Sequence, residues 1–118
     1  VSGTNAVVEV DIGIDNVYGH QFVQNEEVRN TDRGQQAVYP LSQTNLVVGG
    51  LCGSVYLGDQ HIGLVADTTD GYKIIDPTGK IESVRINRTT GKLFINWKEP
   101  IKAGESRVIV SYEYGTKG

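Results

Sequence analysis

The run IESVRINRTTGKLFINWKEPIKAGESRVIVSYEY, residues 81–114, decides the fold, because it reads as three strands separated by two breaks. Val84 and Ile86 alternate with Arg85 and Asn87, and after Thr89-Thr90-Gly91-Lys92 the alternation resumes, with Leu93, Ile95 and Trp97 on one face and Phe94, Asn96 and Lys98 on the other. Period-2 alternation on both sides of a glycine turn is a hairpin signal. The second break runs from Glu99-Pro100 to Gly104-Glu105, where proline removes a backbone donor and glycine permits positive φ. Beyond it Val108, Val110, Tyr112 and Tyr114 share one face, and Arg107, Ile109, Ser111 and Glu113 the other. A three-stranded meander has an apolar side that needs a second layer, so the remainder of the chain must supply one.

The 118 residues are expected to form a single all-β domain, residues 1–118, with a core large enough to need no staples. Abundant Val, Ile, Thr and Tyr together with 15 glycines suit short strands and frequent turns. The lone Cys52 rules out an internal disulfide framework and reads as a small buried hydrophobe. No apolar run approaches the ~18 residues of a membrane span, and the expectation is a soluble chain with no membrane partner. A net charge of −3 argues against a nucleic-acid partner, which calls for clustered Lys and Arg. The charge is uneven: residues 1–71 hold nine acids and two bases (−7), and residues 72–118 hold nine bases and five acids (+4). This becomes a dipolar surface suited to head-to-tail contacts only if the strands segregate; if they interleave, the charges intermix.

Along the chain, Val1–Asn5 reads as a fraying arm, and Ala6–Ile14 as a central strand with Ala6, Val8, Val10, Ile12 and Ile14 on one face. Tyr18–Val23 reads as a short strand. Gln24–Gln36 is polar and carries Asn25, Asn30, Asp32 and Gly34 as breakers, so it reads as a long contact loop. Ala37–Leu41 reads as extended, Asn45–Val48 as a strand, and Val55 and Leu57 as one face of another. In Gln60–Ala66, Ile62 and Leu64 alternate with His61 and Val65; Tyr72–Ile75 follows, and Asp76-Pro77-Thr78-Gly79 is a β-turn tetrad. Eight to ten short strands at this spacing predict an antiparallel β-sandwich or a partly closed barrel.

The segment from Asn45 to Tyr114 resembles a β-rich module of structural proteins in tailed bacteriophages. The residues that carry the likeness are Val48 with Gly53-Ser54-Val55, Asp67-Thr68-Thr69-Asp70-Gly71, and Ile86 with Thr90-Gly91-Lys92-Leu93-Phe94-Ile95. Pro100-Ile101-Lys102-Ala103-Gly104 and Val108-Ile109-Val110-Ser111-Tyr112-Glu113-Tyr114 complete it. The resemblance implies a virion location and a non-enzymatic structural role, with capsid or capsid decoration ahead of tail or baseplate. It also implies that the partners are further copies of the chain and other virion proteins, in a homo-oligomer or on a repeating lattice.

Residues that could carry chemistry do not form a recognisable constellation. Asp67 to Gly71 lacks the alternating acids and terminal glutamate of a calcium loop and reads as a turn. His20 and His61 stand apart, no serine sits in a nucleophile elbow, and no glycine loop cradles phosphate. Asn87-Arg88-Thr89 has the form of a glycosylation acceptor but lies at a hairpin turn. No catalytic residue, cofactor, metal or small-molecule substrate is expected. The interface candidates are Glu26, Glu27, Arg29, Asp32 and Arg33 in the polar stretch, with Phe94 and Trp97, of which one should face the core and the other a partner or the second sheet. The alternative is an immunoglobulin-like or carbohydrate-binding module of a bacterial surface protein, extracellular or cell-surface in location, stacking aromatics such as Tyr56, Tyr72, Trp97, Tyr112 and Tyr114 on sugar rings.

Overall fold

The computed structural model describes residues 18–68 and 70–117, and the arm and strand expected within Val1–Ile14 lie outside them. Eight strands make up the described fold: β1 Tyr18–Arg29, β2 Gly34–Pro40, β3 Cys52–Leu57, β4 Gln60–Thr68, β5 Gly71–Ile75, β6 Ile81–Asn87, β7 Lys92–Ile101 and β8 Ser106–Lys117. They form a five-stranded sheet in the order β1-β8-β3-β4-β5 and a three-stranded sheet in the order β2-β7-β6. Every pairing is antiparallel. The architecture is therefore an all-β sandwich, and neither sheet closes into a barrel.

The first turn of the 81–114 run makes the expected hairpin. Gly91 sits at φ 73°, its N–H donates to the Asn87 carbonyl (2.9 Å), and β6 pairs with β7 from Asn87↔Lys92 back to Ile81↔Trp97. The second turn does something the alternation does not reveal. Instead of folding back on β7, the chain arches across the sandwich, and β8 pairs with β1 and β3 in the other sheet. β2 occupies the edge of β7 that a meander would have used. The arch is pinned by Asn30, which is 3% exposed: its side chain donates to the carbonyls of Asp32 and Lys102 (2.9 Å each) and accepts from the Ser106 N–H (3.0 Å). The break itself is shorter than the sequence suggests, because β7 runs through Pro100 to Ile101, opposite an irregularity between Gly34 and Gln36.

One core lies between the sheets, with Ala37, Tyr39, Leu93, Ile95 and Trp97 from the smaller sheet packed against Val55, Ile62, Val65, Val108 and Val110 from the larger. A chain of hydrogen bonds crosses it: Trp97 Nε1–H donates to Tyr39 Oη (3.2 Å), Tyr39 O–H to Ser106 Oγ (2.8 Å), and Ser106 O–H to the Tyr56 carbonyl (2.8 Å). Each buried polar group in it thus has a partner, as a dry interior requires.

Four expectations change in the fold. Cys52, read as a small buried hydrophobe, is exposed, because on β3 it shares the outward side with Ser54 while the buried Val55 faces the core. The long loop 24–36 is mostly strand, since β1 continues to Arg29 and β2 starts at Gly34. Val23 and Val28 lie five apart and cannot share a face of a regular strand; a bulge between Val23 and Glu26, with Asn25 at φ 54°, restores both to the core side. In β4 a shift opposite Val55/Tyr56 places Ile62 and Val65 inside and turns Leu64 outward, against the simple alternation. Gly63 occupies this place because a Cβ would collide with the Ile75 carbonyl on β5. Residues 45–48 form only an isolated bridge, Leu46↔Tyr114.

Candidate functional site

The sequence candidates separate into three places. Glu26, Glu27 and Arg29 lie on β1, the last strand on one side of the larger sheet among the described residues, and Asp32 and Arg33 lie exposed in the turn that follows. Glu27 and Arg29 point away from the core, where Glu27 is 3.5 Å from both Arg29 and Arg107. Arg29 also donates to the Gly104 carbonyl at 3.0 Å, tying the edge to the arch. Glu26 turns the other way because of the bulge. Its carboxylate accepts from the Ser42 N–H (2.8 Å), the Ser42 hydroxyl (2.7 Å) and the Tyr112 hydroxyl (2.7 Å), so it fastens the segment after β2 to β8. Trp97 is 1% exposed and faces the core, while Phe94 faces outward from the smaller sheet beneath the Arg85 guanidinium, 4.1 Å from the ring centre.

Asp67, Asp76 and Tyr112 are held in structural roles. The Asp67 carboxylate, almost fully buried, takes two hydrogen bonds of 2.8 Å from Arg88. Such a fork is a paired charge, stable inside a protein because both partners are satisfied. The Asp76 side chain organises the β5–β6 turn: despite the opposing effect of burial, the Thr78 hydroxyl and the N–H groups of Ile81, Thr78 and Gly79 lower its pKa. Burial, with the Glu26 carboxylate adding to it, pushes the Tyr112 hydroxyl up to about 12, so at neutral pH it is a donor and not a base. His61 stacks edge-on with Tyr56 at 5.1 Å. Among the described residues no three His, Cys, Asp or Glu side chains gather to hold a metal ion.

What stands out is the outer face of the five-stranded sheet. Strand register builds it in rows: Arg29–Arg107–Tyr56–His61, then Glu27–Ile109–Ser54–Leu64–Ile75, then Ser111–Cys52–Ala66–Lys73, with Phe22–Glu113 beyond. Phe22 is 72% exposed, Ile75 64% and Leu64 46%. Between them the centre is made of Cys52, Ser54, Ala66 and Ser111, so two shallow grooves flank Cys52. One of about 340 Å³ runs beside Leu64 and Ile75, and one of about 450 Å³ beside Phe22 and Asn25. The smaller sheet's outer face contrasts with it, since Arg85 covers Phe94 and the Asn96 amide donates to Ser83.

The sequence did not single out this face. Simple alternation puts Leu64 on one face with Ile62, and its separation from the buried Ile62 follows from the shift in β4. The available signal was the parity conflict between Ile62 and Val65, which no single regular face can hold. Against known protein families, curated proteins and solved structures, the chain finds no match.

Proposed function

We propose that this chain is a non-enzymatic structural protein of a phage or phage-like particle, working through repeated contacts with its own copies and neighbouring particle proteins. The observation that carries the reading is that Phe22, Leu64 and Ile75 all stand exposed on the outer face of the larger sheet, among charged residues such as Glu27, Lys73 and Arg107, while on the smaller sheet's outer face Arg85 covers Phe94. Large apolar side chains exposed together on one face of a folded domain are characteristic of protein contact sites. The likeness of residues 45–114 to tailed-phage modules supplies the biological setting, with capsid or decoration ahead of tail. The carbohydrate-binding alternative loses its strongest carrier, because Trp97 lies in the core and cannot stack on a sugar.

The test is the mass and appearance of the purified chain, alone and after mixing with particles from its own source, by sedimentation and electron microscopy. Oligomers of defined copy number, or regular labelling of a particle surface, are expected. A chain that remains monomeric and binds no particle ends the reading.

A further inference from the structure

We infer that the outer face of the three-stranded sheet binds an acidic, extended segment of a neighbouring protein, whose carboxylates meet Lys92, Arg85 and Lys98. This rests on the structural-protein reading and names the chemistry of one neighbour. β7 buries Leu93, Ile95 and Trp97, so Lys92, Phe94, Asn96 and Lys98 form its outward side. Register adds the flanking strands in rows: Pro40–Lys92–Asn87, Val38–Phe94–Arg85 and Gln36–Asn96–Ser83. No carboxylate stands in these rows, and Lys98 continues the line of β7 beyond them. Glu82 falls in the irregularity between Ile81 and Ser83, and among the described residues it pairs with none of the three cations. The larger sheet's outer face differs, since there Glu27 lies 3.5 Å from both Arg29 and Arg107. Cations gathered on one face without acids, in a chain whose net charge is −3, make a local positive field that attracts and orients an anionic partner.

The geometry selects a carboxylate-bearing protein. The Arg85 guanidinium is held 4.1 Å from the centre of the Phe94 ring and makes no hydrogen bond among the described residues. A fork fixed in this way loses little freedom when it takes a carboxylate in two parallel hydrogen bonds. Spacing fits as well. Along β7 the row of Arg85 lies two residues from Lys92, and Lys98 lies four further on. At ~3.3 Å per residue these steps are about 7 Å and about 13 Å. An extended chain projects alternate side chains at the same interval, so acids at alternate positions of a segment lying along β7 reach all three cations. Val38 and Pro40 add apolar surface beside that line, and Gln36 and Asn96 add amides, the mixture found in protein contacts. A nucleic acid fits less well. Three cations neutralise few phosphates, and the ring in these rows lies beneath Arg85, closed to base stacking.

The experiment titrates the isotopically labelled chain with a peptide of alternating Glu and Ser, long enough to span β7, and follows the amide resonances at low ionic strength. A Lys–Ser peptide and an oligothymidylate of matching length are run beside it. Expected with the Glu–Ser peptide are shifts centred on the rows of β2, β6 and β7, and none with the Lys–Ser peptide. The shifts should vanish at ~1 M salt, where charges are screened beyond ~3 Å. The double variant Lys92→Glu/Lys98→Glu, changed at two exposed positions, should keep its circular dichroism and bind the Glu–Ser peptide at least about ten-fold more weakly.

No shifts at millimolar peptide, shifts centred on other residues, or a double variant that binds as the wild type does would each overturn the inference. So would an oligothymidylate that binds these rows more tightly than the Glu–Ser peptide, which would make the partner a nucleic acid. A chain that ignores the peptide yet labels particles loses this face and keeps its structural role. One that binds the peptide but stays monomeric and labels no particle keeps the face and loses the role.

Discussion

Ser106 has no exposed surface, yet it links both halves of the sandwich: its hydroxyl accepts from Tyr39 and donates to the Tyr56 carbonyl, and its N–H donates to Asn30. The chain is closed at the other end by the Trp97 indole. Removing the middle hydroxyl leaves the Trp97 donor and one lone pair of Ser106 without partners. Tyr39→Phe is therefore expected to destabilise by about 1–3 kcal/mol, the cost of stranded buried polar groups, read as a lower urea midpoint with unchanged slope. Midpoints that agree within error would refute this. The tyrosines also set the alkaline limit. Burial raises the pKa of Tyr39, and Tyr112 is pushed up to about 12, against ~10 for a free tyrosine. Both groups favour the protonated form when folded, so their contribution is complete below pH ~10 and is lost as pH rises towards 12. Urea midpoints should fall across that window, and less steeply for Tyr112→Phe; parallel profiles would contradict it.

At the scale of elements, irregularities decide which side chains face the core. β1, β4 and β6 each carry apolar residues of mixed parity, Val23 with Val28, Ile62 with Val65, and Ile81 with Val84 and Ile86. In each case a register shift reconciles them, between Val23 and Glu26, opposite Val55/Tyr56, and between Ile81 and Ser83. The arch between β7 and β8 is a separate device, held by the three side-chain hydrogen bonds of Asn30. Loss of that amide should loosen the crossing and expose buried backbone groups. Asn30→Ala is expected to destabilise by roughly 2–4 kcal/mol, more than a typical surface change. Hydrogen exchange should speed up first at Ser106, whose N–H donates to the Asn30 side-chain oxygen that alanine removes. Unchanged protection there would show that the turn holds itself.

For the whole molecule, the two sheets share one core, so neither can lose its partner and remain folded. Unfolding is expected to be a single cooperative transition, with Trp97 fluorescence and far-ultraviolet circular dichroism giving the same midpoint within error. Separate midpoints would mean that the sheets unfold independently. Pairing of β1 with β8 joins the two ends of the described chain, a non-local contact that places folding in the slow range of β-sandwiches. Among the described residues, acids of the first part meet bases of the second, as Glu27 does Arg107 and Asp67 does Arg88, so there the two signs interleave.

The amino-acid order alone determined the strand content, the hairpin at Gly91, the turn at Asp76–Gly79 and the buried row of Val108, Val110 and Tyr112, because period and turn chemistry are local properties. It also left one of Phe94 and Trp97 for the core without saying which. The tertiary structure decided everything that depends on pairing: that β8 leaves the meander for the other sheet, that a polar stretch becomes the edge strand β1, and that Leu64 faces outward beside Ile75. A strand's alternation names two faces but carries no information about which neighbour bonds to its edges, and one bulge exchanges the faces without altering composition. The exposed apolar face is a product of register across five strands far apart in the chain, and so it came into view only when they were brought side by side.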